Sequence, residues 1–198
     1  MLRIATHNSG TGEKGTFWSW FVCLFSRTQD KTITEQHEAG CRYFDFRIKF
    51  TKDGSFKFGH GLWKSKKDIY EILSDLELSA RKDDENKTYA YLTYEGKYSD
   101  EVAEVMTALA ALIGEMYPHI LITSVDAKYS GTKKNPFIVD YKHICTINRC
   151  PIGSNPQGFI ALDGKHWQTF LPIPRLWNWI YTRHHTFDEQ KFTFVDFL

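Results

Sequence analysis

The stretch Thr34-Glu35-Gln36-His37-Glu38-Ala39-Gly40-Cys41-Arg42-Tyr43-Phe44-Asp45-Phe46-Arg47-Ile48 reads as a short helix, a stop and a strand. The helix covers 34–39 and ends at Gly40, since glycine takes up the left-handed conformation of a helix stop at no steric cost. Residues 42–48 are dominated by aromatic and β-branched types and read as a strand. Asp45 and Arg47 are two apart, which puts them on one face of it.

Outward from this unit, strand-like runs recur at 2–6, 55–60, 89–94, 119–123, 143–147, 158–162 and 192–197, making eight with 42–48. Two longer helices lie between them. Ser65 is placed to cap 66–82, with Asp68 three residues on as a capping-box-like pair and Ile69, Ile72, Leu73 and Leu76 at helical spacing. Ser99 is placed to cap 100–116, with Asp100 and Glu101 favourable in the first turn. Val102, Val105, Met106, Leu109, Leu112 and Ile113 form its apolar stripe, and Tyr117-Pro118 ends it. Strand–helix alternation argues for parallel units, and eight strands for a (β/α)8 barrel. The chain has 198 residues, at or below the usual lower limit for that fold, and its second half lacks clear helices. The expectation is one α/β domain over 1–198: a compact, irregular, TIM-like (β/α)8 barrel with some outer helices missing.

Composition narrows the function. Hydrophobic residues make up 42% and charged residues 25%, as in a globular chain, which excludes disorder, collagen and coiled coil. A net charge of +1 gives no global field for nucleic acid, and none is expected as a partner. The charge is uneven: 12 Lys and Arg against 7 Asp and Glu over 1–70, 4 against 11 over 71–117, and 9 against 6 over 118–198. Solvated helix faces account for the acidic middle; a cationic end that meets an anionic surface is the sharper reading. Four cysteines, Cys23, Cys41, Cys145 and Cys150, are too few for a disulfide scaffold. Cys145 and Cys150 are close enough in sequence to bridge, although two free thiols are favoured, and no paired ligands make them a zinc site. No apolar run of about 18 residues spans a bilayer, and the first residues lack a signal-peptide h-region. A monomer is expected, free of membrane-spanning segments and peripheral at membranes, cytoplasmic or exported by a route the sequence does not show.

In a parallel barrel, chemistry sits at the C-terminal strand ends. His7 and Asn8 follow the first strand, Asp45 and Arg47 lie on the second, His60-Gly61 ends the third, Glu95-Gly96-Lys97 ends the fourth, and Asp196 stands on the last. Taken singly, each is more commonly a cap, a salt-bridge partner or a satisfied core residue. Jointly they suit cleavage of a phosphodiester by an internal hydroxyl. That reaction needs a base, an acid and a fixed cation at the phosphorus, and histidine and arginine supply them near neutral pH.

These residues also carry a resemblance. Thr6-His7-Asn8-Ser9-Gly10-Thr11, then Thr28-Gln29 with 34–47, then Phe58-Gly59-His60-Gly61, resemble the first three motifs of the phosphatidylinositol-specific phospholipase C X-domain family. Phe194-Val195-Asp196-Phe197 is similar to its final strand, while 118–190 match nothing in it. The resemblance implies an irregular barrel. It implies His7 as general base for the inositol 2-hydroxyl, Asp196 as the group that orients His7, and His60 as general acid for the diacylglycerol oxygen. Arg47 would hold the phosphate and Asp45 would support it; Asn8, Glu95 and Lys97 would contact substrate. The products would be diacylglycerol and a cyclic inositol phosphate.

The family has a calcium-dependent and a metal-independent branch. Asn8 and Glu95 are similar to the first, Asp45-Phe46-Arg47 to the second. A guanidinium at a calcium ligand's position repels the ion and can do its electrostatic work, so no metal and no cofactor are expected. The alternative is calcium held by Asn8, Asp45 and Glu95.

Phe17, Trp18, Trp20 and Phe21 lie in the region that, in the bacterial enzymes, resembles a short membrane-touching helix, and a phosphatidylinositol-containing surface is the expected partner. The plainer reading is a segment that covers the barrel. A second aromatic cluster, Trp167, Phe170, Trp177, Trp179 and Tyr181, is either pocket wall or packing. Two other functions stay open. One is a different lipid or glycerol phosphodiesterase on a related barrel; such enzymes use a metal site that Arg47 would spoil. The other is a non-catalytic lipid-binding or structural relative, which would not need both histidines.

Overall fold

The computed structural model describes residues 3–6, 8–16, 29–83, 85–97, 99–126, 159–161 and 192–195. Within them the chain is mixed α/β. Strand β1 (Arg3–Thr6) leads into a 3-10 turn at Ser9–Gly12, then helix α1 (Ile33–Glu38) and β2 (Cys41–Phe50). A hairpin follows, β3 (Phe56–His60) and β4 (Trp63–Lys64), then α2 (Ile69–Arg81), β5 (Thr88–Tyr94), α3 (Asp100–Met116) and β6 (Ile120–Asp126). Strands β7 (Phe159–Ala161) and β8 (Phe192–Val195) complete the described elements.

The sheet runs β6-β5-β2-β1-β8-β7, and every pairing in that order is parallel. The expected parallel arrangement holds here, with one correction. The third strand is antiparallel to β2, pairing Ile48 with Phe58 and Phe50 with Phe56. Asp53-Gly54 closes the turn, and Gly54 has φ +81°, so the chain folds straight back on β2 instead of crossing over through a helix. That return carries His60 back toward the level of Phe46.

Helix boundaries follow the caps that tertiary contacts leave available. In α1, Thr32 and Glu35 form a reciprocal capping box, and the chain leaves through Gly40 at φ +97°. For α2 the cap is Asp68, not Ser65: Asp68 accepts from Tyr70 N and Glu71 reaches back to it. The Ser65 hydroxyl is already engaged, accepting from Phe58 N at 3.2 Å and donating to Lys67 O at 2.8 Å. For α3 the cap is Ser99, as expected, and Tyr117 ends it.

The two faces of β2 decide where core and chemistry go. Phe44, Phe46 and Ile48 face an apolar layer with Ala90 and Leu92 of β5, Ile69, Ile72, Leu73 and Leu76 of α2, and Met106, Leu109 and Ile113 of α3. Each large side chain buried there contributes roughly 1.5–3 kcal/mol. The α3 stripe is narrower than its pattern suggests, because Val105 and Leu112 are exposed. On the alternate residues of β2 stand Tyr43, Asp45 and Arg47, all buried. The Tyr43 hydroxyl pairs with Thr123 Oγ1 at 2.7 Å, and Thr123 also donates to Ala90 O.

Among the described residues, six aromatics, Tyr43, Phe44, Phe46, Phe58, Trp63 and Tyr91, are fully buried. Cys41 is a buried free thiol, its pKa pushed up to about 12 by burial. Among the described residues no helix is long and apolar enough to cross a membrane. The run at 143–147, the cysteines at 23, 145 and 150, and both clusters containing Trp18 and Trp177 lie outside the described residues.

Candidate active site

The turn after β1 is fixed by its own side chains. Thr6 and Ser9 hydroxyls meet at 2.8 Å, Ser9 donates to Thr6 O, and Thr11 bonds Asn8 O through both its amide and its hydroxyl at 2.9 Å. Gln36 of α1 donates to Ser9 O at 2.9 Å. Gly10 allows the turn to close on β3, because a Cβ there would lie 2.5 Å from Phe58 Cβ. Asn8 takes the left-handed conformation, φ 47° and ψ 47°, which asparagine tolerates better than most residues. Its amide thereby points at β2 and donates to Asp45 Oδ2 at 3.2 Å.

Asp45 Oδ2 also meets Arg47 Nε at 3.4 Å, and Arg47 Nη1 lies 3.5 Å from Glu95 Oε2. Both Asp45 (0% exposed) and Arg47 (3%) are buried, so solvent screens the group weakly. Glu95 stands just past β5, where its amide donates to Ile48 O at 2.8 Å and extends the ladder one step. Its Oε1 accepts the amide of Gly61 at 3.0 Å. One connected series therefore runs from Asn8 through Asp45, Arg47 and Glu95 to Gly61. Each end is the residue that follows a candidate catalytic histidine in sequence, His7 at one end and His60 at the other.

The structure thus brings together Asn8, Asp45, Arg47 and Glu95, with half-buried His60 one residue from Gly61. Lys97 is exposed, and no described contact joins it to this group. His7, Asp196 and the residues Phe17, Trp18, Trp20 and Phe21 lie outside the described residues. Thr6 pairs with Val195 across β1 and β8, and the next residues in sequence are His7 and Asp196. Among the described residues no group of three or more His, Cys, Asp or Glu is arranged to hold a metal ion.

Lys49, which no sequence motif singles out, also reaches this group. Its Nζ donates to Gly61 O. Its signal was the alternation Asp45, Arg47, Lys49 along one face, which becomes visible once β2 is extended to Phe50. Burial lowers the Lys49 pKa; the Glu95 charge opposes that and Lys64 adds to it.

Against solved structures, the fold is similar to that of bacterial phosphatidylinositol-specific phospholipases C. The enzyme from Listeria monocytogenes is 18% identical over 64% of this chain and 52% of its own, with a TM-score of 0.50. A pentafluoro-Phe form of the Staphylococcus aureus enzyme is 12% identical over 99% of this chain and 86% of its own, at 0.60. A single-site mutant of that enzyme gives 13%, 99%, 85% and 0.58. The chain thus spans about half the length of the Listeria enzyme. At these identities the likeness is one of fold. No family model and no curated protein matches the chain.

Proposed function

We propose that the chain cleaves phosphatidylinositol, or a related inositol phospholipid, as a phosphorus–oxygen lyase. The observation that carries this reading is the series Asn8–Asp45–Arg47–Glu95–Gly61, which sets a guanidinium between the main-chain anchors of two histidine-bearing turns. The fold likeness supports it, since the similar bacterial structures are named as phosphatidylinositol-specific phospholipases C.

In this reading His7 takes the proton of the inositol 2-hydroxyl, and that oxygen attacks phosphorus. The bond from phosphorus to the diacylglycerol oxygen breaks, and His60 gives that oxygen a proton. The products are diacylglycerol and a 1,2-cyclic inositol phosphate. Histidine, whose ordinary pKa lies near neutrality, is the side chain suited to these proton transfers, each worth typically 10²–10⁴-fold in rate. Asp196 orients His7, and Arg47 offsets charge on the pentacoordinate phosphorus. Asn8, Glu95 and Lys97 line the substrate side. The sheet closes as an irregular (β/α)8 barrel lacking some outer helices, and the chain acts as a monomer.

No metal takes part in this reading. Asp45 and Glu95, two of the three alternative calcium ligands, already have an oxygen each on the Arg47 guanidinium, and a divalent ion there would face that positive charge. Phe17, Trp18, Trp20 and Phe21 meet the lipid surface, aided by the basic first third of the chain.

Turnover of phosphatidylinositol vesicles by wild type, His7→Ala and His60→Ala tests the proposal. Activity in the wild type and its near-complete loss in both variants is expected. A wild type that binds the vesicles without cleaving them would sink the catalytic reading in favour of lipid binding alone.

A further inference from the structure

His60 stands between two glycines, and one side chain touches both. A Cβ on Gly59 would lie 2.5 Å from Lys49 Cδ and 2.6 Å from Cγ, so the Lys49 stem crosses bare backbone there. The ammonium at its end donates to the carbonyl of Gly61. The amide of the same Gly61 is taken by Glu95 Oε1 at 3.0 Å. Gly61 has φ +55°, a conformation that strains any residue with a β-carbon. Its carbonyl and its amide are thus both engaged, the one by a cation from β2 and the other by an anion just past β5.

The charges around Gly61 are complementary. Lys57 faces Lys49 across the β2–β3 pair, but its own ammonium turns to Lys66 O at 3.0 Å. Glu95 attracts Lys49, while exposed Lys64 repels it. With Lys49 included, Asp45 and Glu95 are matched by two cations, so a phosphodiester anion entering beside Arg47 meets a neutral cluster, not an anionic one.

We propose that Lys49 is a positioning residue: together with Glu95 it locks Gly61, and through Gly61 it fixes where His60 presents its proton. The inference rests on the reading of His60 as general acid. Because Glu95 holds Arg47 with its other oxygen, the place of the acid and the place of the phosphate-binding cation are set by one carboxylate.

The test compares Lys49→Met and Lys49→Arg with wild type, on a water-soluble phosphatidylinositol analogue and by amide hydrogen exchange at residues 59–64. Methionine keeps the stem over Gly59 and removes the ammonium; arginine restores a charged donor. Misplacing a catalytic group by about 1 Å costs about 10²-fold in rate. Lys49→Met is therefore expected to lower kcat about 10–100-fold with KM within about twofold. Exchange at Gly61 should quicken, and Lys49→Arg should recover most of kcat. An unchanged kcat in Lys49→Met, or equal losses in Met and Arg, overturns the proposal. If the wild type itself turns over no substrate, the phospholipase reading fails, and exchange decides the lock alone: faster exchange at Gly61 in Lys49→Met supports it and unchanged exchange overturns it.

Discussion

Arg47 Nη1 stands 3.5 Å from Glu95 Oε2 between adjacent parallel strands, in a position that only 3% of Arg47 shares with solvent. With Asp45 at 3.4 Å on its other side, the guanidinium separates two carboxylates. A buried charge stripped of its partner typically costs 3–5 kcal/mol. Arg47→Met, which leaves the two anions facing each other, is expected to lose about that much stability in urea unfolding. Arg47→Lys keeps the charge but not the planar fork, and phosphatidylinositol turnover should fall roughly 10²-fold while the fold survives. Wild-type turnover in Arg47→Lys would remove Arg47 from the mechanism.

The same geometry predicts how the protein responds to chelators. Metal-free chemistry should proceed at the full rate in excess chelator, and added calcium should leave it unchanged. A complete loss in chelator that calcium restores would assign Asn8, Asp45 and Glu95 to an ion and displace Arg47 from its electrostatic role.

The sequence shows a good deal of this arrangement, and the parts it hides have physical causes. Asp45 and Arg47 share a face because strand side chains alternate, and that needed no coordinates. Asn8, His60-Gly61 and Glu95 stand at the ends of runs that read as strands, so their placement there is also legible in the sequence. Strand–helix alternation favours a parallel β3, whereas Asp53-Gly54, itself a hairpin signal, turns it antiparallel. Ser65 and Asp68 are equally good caps by type; only the contact of Ser65 with Phe58 N selects Asp68. The Glu95–Gly61 bond joins segments 34 residues apart that no local pattern pairs, and the Lys49–Gly61 bond follows only once β3 is folded back on β2.

His37 gives a prediction about acid stability. Its Nε2 lies 2.9 Å from Thr88 Oγ1, and its ring stacks on Phe44. Burial, helped by the charge of Arg42 and opposed by Asp83, lowers its pKa from 6.5 to about 4. The fold therefore holds the neutral ring, while the unfolded chain protonates near 6.5. This contribution to stability is complete above pH 6.5, is lost as the pH falls toward 4, and changes no further below that. At 1.36 kcal/mol per unit it amounts to at most about 3 kcal/mol. His37→Phe should flatten the wild-type decline between pH 6.5 and 4 in denaturant titrations; an identical slope in the variant would assign the decline to other groups.

Thr93 occupies the β5 position in register with Arg47, and its buried hydroxyl has no hydrogen-bond partner among the described residues. A buried polar group left unpaired is destabilising by about 1–3 kcal/mol, whereas an apolar group of the same shape carries no such cost. Thr93→Val keeps the branched shape that suits a strand and removes only the hydroxyl's hydrogen-bonding demand. The variant is expected to unfold at higher urea, with a gain of about 1 kcal/mol. A lower midpoint would mean that the hydroxyl is satisfied in solution. In that case the hydroxyl has a water or another polar partner in the layer at Arg47, and Thr93→Val should then also disturb the Arg47–Glu95 pair.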